Sequence, residues 1–66
     1  MKIIKILRRA NKMTQEELAI QVGRSQNYIS WLERGKTSPT VALLNKLAAA
    51  LGVNPEILKS EGRGWR

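Results

Sequence analysis

The sequence predicts a small all-α domain built from five short helices. Apolar residues recur three or four positions apart in successive segments, the spacing that gives a helix one apolar face. Residues that start and stop helices stand between these segments, and no segment alternates apolar and polar residues as a half-buried strand would. With 66 residues, the chain has room for one domain with a thin aliphatic core.

The first two predicted helices are separated by a polar break. Residues 2–10 form an amphipathic first helix, with apolar side chains spaced four and three positions apart. Thr14 and Glu17 have the spacing of a capping box, in which each side chain accepts a hydrogen bond from the other residue's backbone N–H. A second helix is therefore predicted over about residues 14–22. Gly23 follows where a helix end favours a residue with positive φ.

Three further helices complete the predicted domain. The third spans about residues 25–33 and has Ser25 as its N-cap. The fourth opens at Thr40 and carries a long apolar stripe, formed by Val41, Leu44, Leu47, Ala48 and Leu51. The fifth starts with Asn54 as N-cap and a proline at the first helical position. We therefore expect a domain over residues 1–59 and a flexible tail over 60–66.

The composition favours a polyanionic partner and argues against catalysis. Twelve Lys and Arg residues against five acidic residues give a formal charge of +7, and the charge is concentrated in the first 36 residues. The chain has no Cys and no His, so we expect no enzyme activity, no metal site and no cofactor. Its apolar runs are too short for a secretory signal or a membrane span, which predicts a cytoplasmic protein without a membrane partner.

The second and third helices predict a surface that reads nucleic acid. A turn of about three residues around Gly23 makes the two helices cross steeply, with Ala19 against Ile29 and Leu32. The outer face of the third helix is rich in side-chain amides and other groups without a core role: Ser25, Gln26, Asn27, Ser30 and Trp31. Amide side chains pair bidentately with the adenine edge in a major groove.

Residues 8–53 resemble the Cro/repressor-type helix-turn-helix family of bacterial and phage regulators. The motifs that carry the resemblance are Leu7-Arg8, Thr14-Gln15-Glu16-Glu17-Leu18-Ala19, Gly23, Ile29-Ser30, Leu32-Glu33-Arg34-Gly35-Lys36, Ser38-Pro39-Thr40 and Leu44 to Val53. The resemblance implies a compact five-helix, lambda-repressor-like DNA-binding domain. It also implies that the third helix is the recognition helix and that two copies act on an inverted repeat.

Site residues are carried over from the family by position. The base-reading set is Gln26, Asn27, Trp31 and Ser25, and the phosphate-binding set is Gln15, Arg24, Arg34, Lys36 and Thr37. The family glutamine that Gln15 matches also often braces a base-reading side chain. Arg8 and Glu33 match a structural ion pair of the family, so we expect neither to contact DNA. The chain departs from the family at two positions: Arg24 replaces an apolar residue, and Lys12 stands where glycine is common.

The expected function is sequence-specific binding of double-stranded DNA by a small transcriptional regulator, with a dimeric repressor as the leading form. A homodimer interface is expected at Ile57, Leu58 and Trp65, because a small domain gains stability from association. An antitoxin or a restriction-modification controller, with an additional protein partner, would use the same fold. A protein-binding or RNA-binding adaptor is the alternative from another class, and the amide-rich face argues against it.

Overall fold

A computed structural model describes the backbone of residues 1–61 and the side chains of residues 1–59. Over residues 1–61 the chain forms five helices and no strand, which confirms the predicted all-α class. The helices are α1 (Lys2–Ala10), α2 (Gln15–Val22), α3 (Gln26–Glu33), α4 (Val41–Leu51) and α5 (Pro55–Glu61). The sequence predicts that the second and third helices begin at their capping residues. In the structure, α2 and α3 each begin one position after the capping residue.

Helices α2, α3 and α4 begin on the side-chain caps that the sequence predicts. Thr14 Oγ1 accepts a hydrogen bond from the N–H of Glu17 at 3.0 Å, and the Glu17 carboxylate accepts one from the N–H of Thr14 at 2.8 Å. Ser25 and Thr40 each accept from the N–H three residues on, both at 3.1 Å. Each cap satisfies a backbone donor that the helix itself leaves unpaired.

Left-handed glycines end α2 and α4 and turn the chain. Gly23 after α2 and Gly52 after α4 both have φ of +73°, where a side chain would be strained. Among the described residues, Lys12 is the one non-glycine with positive φ, at +57°. The family's preference for glycine at this position therefore has a physical reason, since the left-handed conformation costs an L-residue roughly 1–2 kcal/mol.

A single aliphatic core holds the five helices together. It consists of Ile4, Leu18, Ala19, Val22, Ile29, Leu32, Leu43, Leu44, Leu47, Ala48, Leu51 and Leu58. The predicted stripe of α4 is confirmed except at Val41, which is 62% exposed, and Leu43 is buried instead. Successive residues are about 100° apart around a helix, so the buried residues of α4 are centred about 90° away from Val41. Val41 therefore lies at the edge of the stripe.

The C-terminal boundary differs from the prediction. Helix α5 continues to Glu61, so residues 60 and 61 are helical and do not belong to the tail to which the sequence assigned them. A helix begun by Pro55 with Asn54 as its cap has no stop signal until Gly62, which explains the extension. Residues 62–66, the remainder of the predicted flexible tail, lie outside the described residues.

Candidate nucleic-acid interface

The turn between α2 and α3 sets the geometry of the candidate site. The backbone N–H of Arg24 donates to the carbonyl of Ala19 at 2.9 Å, and α3 begins only two residues later. Ala19, Ile29 and Leu32 are all buried, as the predicted packing of the crossing requires. The small side chain of Ala19 lets the two helices approach closely, so the outer face of α3 is held on a rigid support.

The start of α3 presents polar side chains to solvent. Ser25, Gln26 and Asn27 are exposed, and Trp31, one turn beyond Asn27, is 45% exposed. The first turn of α3 contains no acidic residue, so the positive end of the helix dipole is not neutralised by its own side chains. These are the four residues that the sequence predicts to read bases. Their exposure leaves them accessible, and base contact stays a prediction.

A buried carboxylate lies beneath this face and connects three elements. Glu33 Oε2 accepts from Arg8 Nε at 2.6 Å, and Glu33 Oε1 accepts from Arg8 Nη2 at 3.2 Å. Arg8 also donates from Nη1 to the carbonyl of Met13 at 2.8 Å. The ion pair implied by the family resemblance is therefore present. Glu33 Oε1 accepts a further bond from Gln15 Nε2 at 3.0 Å, and Gln15 Oε1 lies 3.5 Å from Gln26 Nε2.

The surroundings of Glu33 keep its carboxyl group ionised. Burial acts to raise its pKa, but hydrogen bonds from Arg8 and Gln15 together with the charges of Arg8 and Lys5 outweigh it. The pKa of Glu33 is therefore lowered from its ordinary value of 4.5. At neutral pH the side chain is a carboxylate that only accepts hydrogen bonds.

Basic residues flank both ends of α3. Before the helix, the guanidinium of Arg24 lies over the ring of Tyr28, 5.7 Å from its centroid. After it, Arg34 forms the C-cap, and the backbone N–H of Lys36 donates to a carbonyl in the last turn of α3 at 2.8 Å. Both of these side chains are exposed, and Thr37 is partly buried. Four residues of the predicted phosphate-binding set, Arg24, Arg34, Lys36 and Thr37, therefore flank α3 in the chain, while phosphate contact itself stays a prediction.

The predicted dimer residues have different surroundings. Ile57 is 43% exposed, but Leu58 is fully buried at 0% exposure and packs in the core. The assignment of Leu58 to a dimer interface is therefore wrong. Ile57 faces outward from α5, whereas Leu58 faces the core, where α5 packs on α4 and α1. Trp65, the third residue of that set, lies outside the described residues.

The sequence interpretation missed one contact of the site. The sequence assigns Glu33 to Arg8 alone, and it assigns Gln15 to a phosphate and to a base-reading side chain. In the structure, the side chains of Gln15 and Glu33 are hydrogen-bonded to each other. They are 18 positions apart in the sequence, and only the crossing of α2 and α3 brings them together. A glutamine at the start of one helix and a carboxylate at the end of the next give no local signal of this contact.

Membrane spans and metal centres are two other classes of site that a short chain can carry. No helix within the described part of the chain is long and apolar enough to cross a membrane. Among residues 1–59, whose side chains the structure describes, no group of three or more His, Cys, Asp or Glu is placed to hold a metal ion.

The five-helix architecture and the exposed second helix of the α2–α3 pair define a helix-turn-helix domain. The chain belongs to the Cro/repressor-type helix-turn-helix family, whose model, described as "Helix-turn-helix", matches residues 4–58. The match covers all five helices apart from the two ends. The family expected from the sequence motifs is confirmed.

Similar proteins include regulators from a bacterium and from a phage. An uncharacterised HTH-type transcriptional regulator of Sinorhizobium fredii is 54% identical over 48 residues, which cover 73% of this chain and 62% of that protein. The immunity repressor protein of Bacillus phage phi105 is 33% identical over 58 residues, which cover 88% of this chain and 40% of the repressor. The chain thus spans less than two thirds of the length of these two relatives.

Solved structures with the same fold include two regulators of similar size. The restriction-modification controller protein C.AhdI from Aeromonas hydrophila has a TM-score of 0.78 and 34% identity, covering 83% of this chain and 80% of that chain. A hypothetical transcription factor from Neisseria, NHTF, has a TM-score of 0.74 and 34% identity, covering 86% of this chain and 75% of that chain. The similarity therefore extends over most of the domain.

Proposed function

We propose that this chain binds double-stranded DNA sequence-specifically and acts as a small cytoplasmic transcriptional regulator, without catalysis or a cofactor. The observation that carries the proposal is the start of α3, where Gln26 and Asn27 are exposed on a helix whose first turn has no acidic residue. A major groove admits a helix of this kind, and side-chain amides there bind adenine bidentately.

Phosphate contacts would set the position of α3 in the groove. Arg34 and Lys36 lie at the end of α3, and Arg24 lies at its start. Gln15 and Thr37 complete the proposed phosphate-binding set. Contacts of this type fix register and supply affinity that falls with salt, while Gln26, Asn27, Trp31 and Ser25 would supply the sequence preference. Ser25 Oγ already accepts the capping bond, so its hydroxyl proton is the group it would offer to DNA.

Repression by a homodimer is the form of regulation that we favour. Two copies would bind half-sites about one helical turn apart, and Ile57 is the exposed apolar residue of α5 that we assign to their contact. The similarity to a phage immunity repressor supports the repressor role. A second candidate, a restriction-modification controller with a further protein partner, is supported by the similarity to C.AhdI.

Selection from a random duplex library at about 0.15 M salt tests the proposal, because non-specific electrostatic binding is weakened there. We expect enrichment of an inverted repeat with half-sites about one turn apart. Enrichment of a single half-site would contradict the dimer but retain the DNA-binding function. Recovery of no preferred sequence would contradict the proposed function.

Two lysines that carry the same charge provide a matched control. Lys36 lies beside α3, whereas Lys46 is exposed on α4. We expect Lys36→Ala to weaken binding to all duplexes and to reduce the slope of log affinity against log salt by about 1. Lys46→Ala removes the same charge and should leave that slope unchanged. Equal slopes for the two variants would mean that binding follows net charge alone.

A further inference from the structure

We infer that Tyr28 is a positioning residue for phosphate binding: its ring holds the guanidinium of Arg24 beside the start of α3, in place for a phosphate of the DNA backbone. The inference rests on the proposed function, in which Arg24 belongs to the phosphate-binding set. It assigns a role to Tyr28, which belongs to neither of the two predicted sets. It also gives a function to an arginine at a position where the family prefers an apolar residue.

The backbone of both residues is fixed by hydrogen bonds around the turn. The N–H of Arg24 donates to the carbonyl of Ala19 at 2.9 Å, and the N–H of Tyr28 donates to Ser25 Oγ at 3.1 Å. Ser25 is the N-cap, so Arg24 immediately precedes the cap and Tyr28 is the third residue of α3. An apolar residue before the cap often packs on the fourth residue of the helix, which here is Ile29. Ile29 is fully buried, and the arginine lies over the ring of Tyr28 instead.

The ring of Tyr28 is itself held in place. The residue is half-buried and packs against the aliphatic core. The guanidinium of Arg24 lies 5.7 Å from the centroid of the ring, within the distance of about 6 Å at which a cation is attracted to an aromatic face. The ring therefore restricts a long side chain that is otherwise exposed. An arginine restricted in this way loses less rotamer freedom on binding phosphate, because part of that freedom is already lost in the free protein.

The guanidinium of Arg24 keeps its charge and its donors available. Among residues 1–59, whose side chains are described, no carboxylate forms an ion pair with Arg24 and no group accepts a hydrogen bond from its side chain. Its five N–H groups thus remain for an anion with several acceptor oxygens, and a planar guanidinium matches phosphate bidentately. Arg8 differs, because its guanidinium already donates to the carboxylate of Glu33 and to the carbonyl of Met13.

The first test needs only the protein free of DNA. The heteronuclear NOE of the Nε–H group, measured by NMR, should be larger for Arg24 than for Arg34 because the ring restricts Arg24. Arg34 is exposed at the other end of α3 and lies over none of the described rings. In Tyr28→Leu, the NOE of Arg24 should fall to that of Arg34. Equal NOEs in the wild type would show that Tyr28 does not hold Arg24 and would overturn the inference.

The second test is a double-mutant cycle on the affinity for random duplex at low salt. Tyr28→Leu should weaken binding about 2- to 5-fold, the factor that corresponds to a cation–π contact at an exposed site. Tyr28→Phe keeps the ring and should bind like the wild type. In an Arg24→Met background, Tyr28→Leu should have no further effect. Circular dichroism and a melting curve would verify that each variant folds.

Arg34→Met provides the matched control, since it removes the same charge at the other end of α3. In that background, Tyr28→Leu should weaken binding by the same factor as in the wild type. Equal effects of Tyr28→Leu in the Arg24→Met and Arg34→Met backgrounds would indicate a general structural role and overturn the inference. Equal losses for Tyr28→Phe and Tyr28→Leu would also overturn it, because they would assign the effect to the hydroxyl group.

The failure of the proposed function has a different signature. If the wild type binds no duplex at low salt, the proposed function fails and the role in phosphate binding fails with it. If the wild type binds duplex and the cycle shows no coupling between Tyr28 and Arg24, the inference alone fails. The NOE measurement requires no DNA, so it decides in either case whether the ring holds the guanidinium.

Discussion

The α2–α3 pair and the α4–α5 pair are joined by nearly the same turn but present different surfaces. Gly23 has φ of +73° and ψ of +34°, and Gly52 has φ of +73° and ψ of +32°. In each turn the N–H of the next residue donates to the carbonyl five positions back, at 2.9 Å after Gly23 and 3.0 Å after Gly52. A capping side chain, Ser25 or Asn54, then starts the second helix.

The first turns of the two second helices differ in charge and in hydrogen-bonding groups. Helix α3 starts with Gln26 and Asn27 and has no acidic residue there, whereas α5 starts with Pro55 and Glu56. Glu56 places a negative charge at the positive end of its own helix, which disfavours a second anion at that end. The turn motif therefore explains the fold of both pairs, and the residues after the cap explain why only one pair is a candidate for DNA binding.

The largest expected effect comes from replacing the amides at the start of α3. Gln26→Ala with Asn27→Ala should abolish the preference for a selected sequence over random duplex, because each bidentate base pairing supplies about 1–3 kcal/mol of discrimination. Binding to random duplex at low salt should persist, because phosphate contacts supply it. Electrophoretic mobility shifts with both duplexes measure the two affinities.

The corresponding change in the other pair is Glu56→Ala, at an exposed position in the first turn of α5. For the Glu56→Ala variant, the ratio of the affinity for the selected duplex to the affinity for random duplex should equal that of the wild type. The comparison between the two pairs breaks down if the α3 double variant loses affinity equally for both duplexes, since Gln26 and Asn27 would then not be reading bases.

The next largest effect compares the ion pair that Glu33 of α3 forms with Arg8 of α1 and the ion pair within α5. Arg8→Ala should lower the free energy of unfolding by about 3 kcal/mol, because it leaves the Glu33 carboxylate buried without its charged partner. The Lys59–Glu56 pair of α5 is 3.9 Å long with side chains 40% and 78% exposed, so Lys59→Ala should cost less than about 0.5 kcal/mol. Urea unfolding measures both, and similar losses would contradict the structural role of Glu33.

Acid should reveal the same buried carboxylate without a mutation. Because the pKa of Glu33 is lowered in the folded chain, its ionised form stabilises the fold fully above the pKa of the unfolded chain. That contribution is lost as the pH falls below 4.5 and through the lowered folded value. A double variant with Arg8→Met and Glu33→Leu lacks this carboxylate, and apolar replacement of a buried ion pair commonly preserves folding. Melting temperatures should therefore fall less steeply with acid in this variant than in the wild type. Parallel curves would argue against a lowered pKa.

A smaller effect tests whether the two turns are equivalent. Gly23→Ala and Gly52→Ala should each destabilise the fold by roughly 1–2 kcal/mol, because an added Cβ meets no atom within 4 Å at either position and the cost comes from φ alone. Thermal or urea unfolding of both variants gives the two losses. Costs that differ by more than about 1 kcal/mol would show that the turns are not interchangeable.

The smallest effect is a gain in stability. Lys12→Gly should raise the free energy of unfolding by less than about 1 kcal/mol, because φ of +57° is unfavourable for lysine and free for glycine. Glycine's greater freedom in the unfolded chain offsets part of this gain. Lys12→Ala is the control, since alanine gains no left-handed freedom and should not stabilise. A loss of stability with glycine would mean that the Lys12 side chain stabilises the fold.

Most of the fold could be predicted from local signals. The capping box at Thr14, the N-cap at Ser25 and the left-handed glycines each act within a few residues, so the sequence alone reveals them. The spacing of Val41 fits the apolar stripe and predicts burial, but three-dimensional packing centres the stripe elsewhere and leaves Val41 exposed. Leu58 was assigned to a dimer contact because adjacent apolar residues in a short helix do not reveal which one faces inward.

Less of the candidate site could be predicted, since its central contact is tertiary. The exposed amides of α3 follow from the helical pattern, and the partnership of Arg8 with Glu33 followed from the family resemblance. The bond between Gln15 and Glu33 depends on how α2 crosses α3, and the orientation of each amide depends in turn on that bond. Hydrogen-bond direction is a property of the assembled site, which residue spacing does not encode.

The most direct test of the central claim compares the side-chain amides of the two helix pairs in one NMR experiment on a complex with the selected duplex. The α2–α3 pair carries such groups at Gln15 and Gln21 on α2 and at Gln26 and Asn27 on α3. The α4–α5 pair carries them at Asn45 on α4 and at Asn54 before α5. We predict NOEs from the NH₂ protons of Gln26 and Asn27 to base protons in the major groove, and none from those of Asn45 and Asn54. NOEs to DNA from the α4–α5 pair, with none from α3, would contradict the assignment of α3 as the helix that reads the sequence.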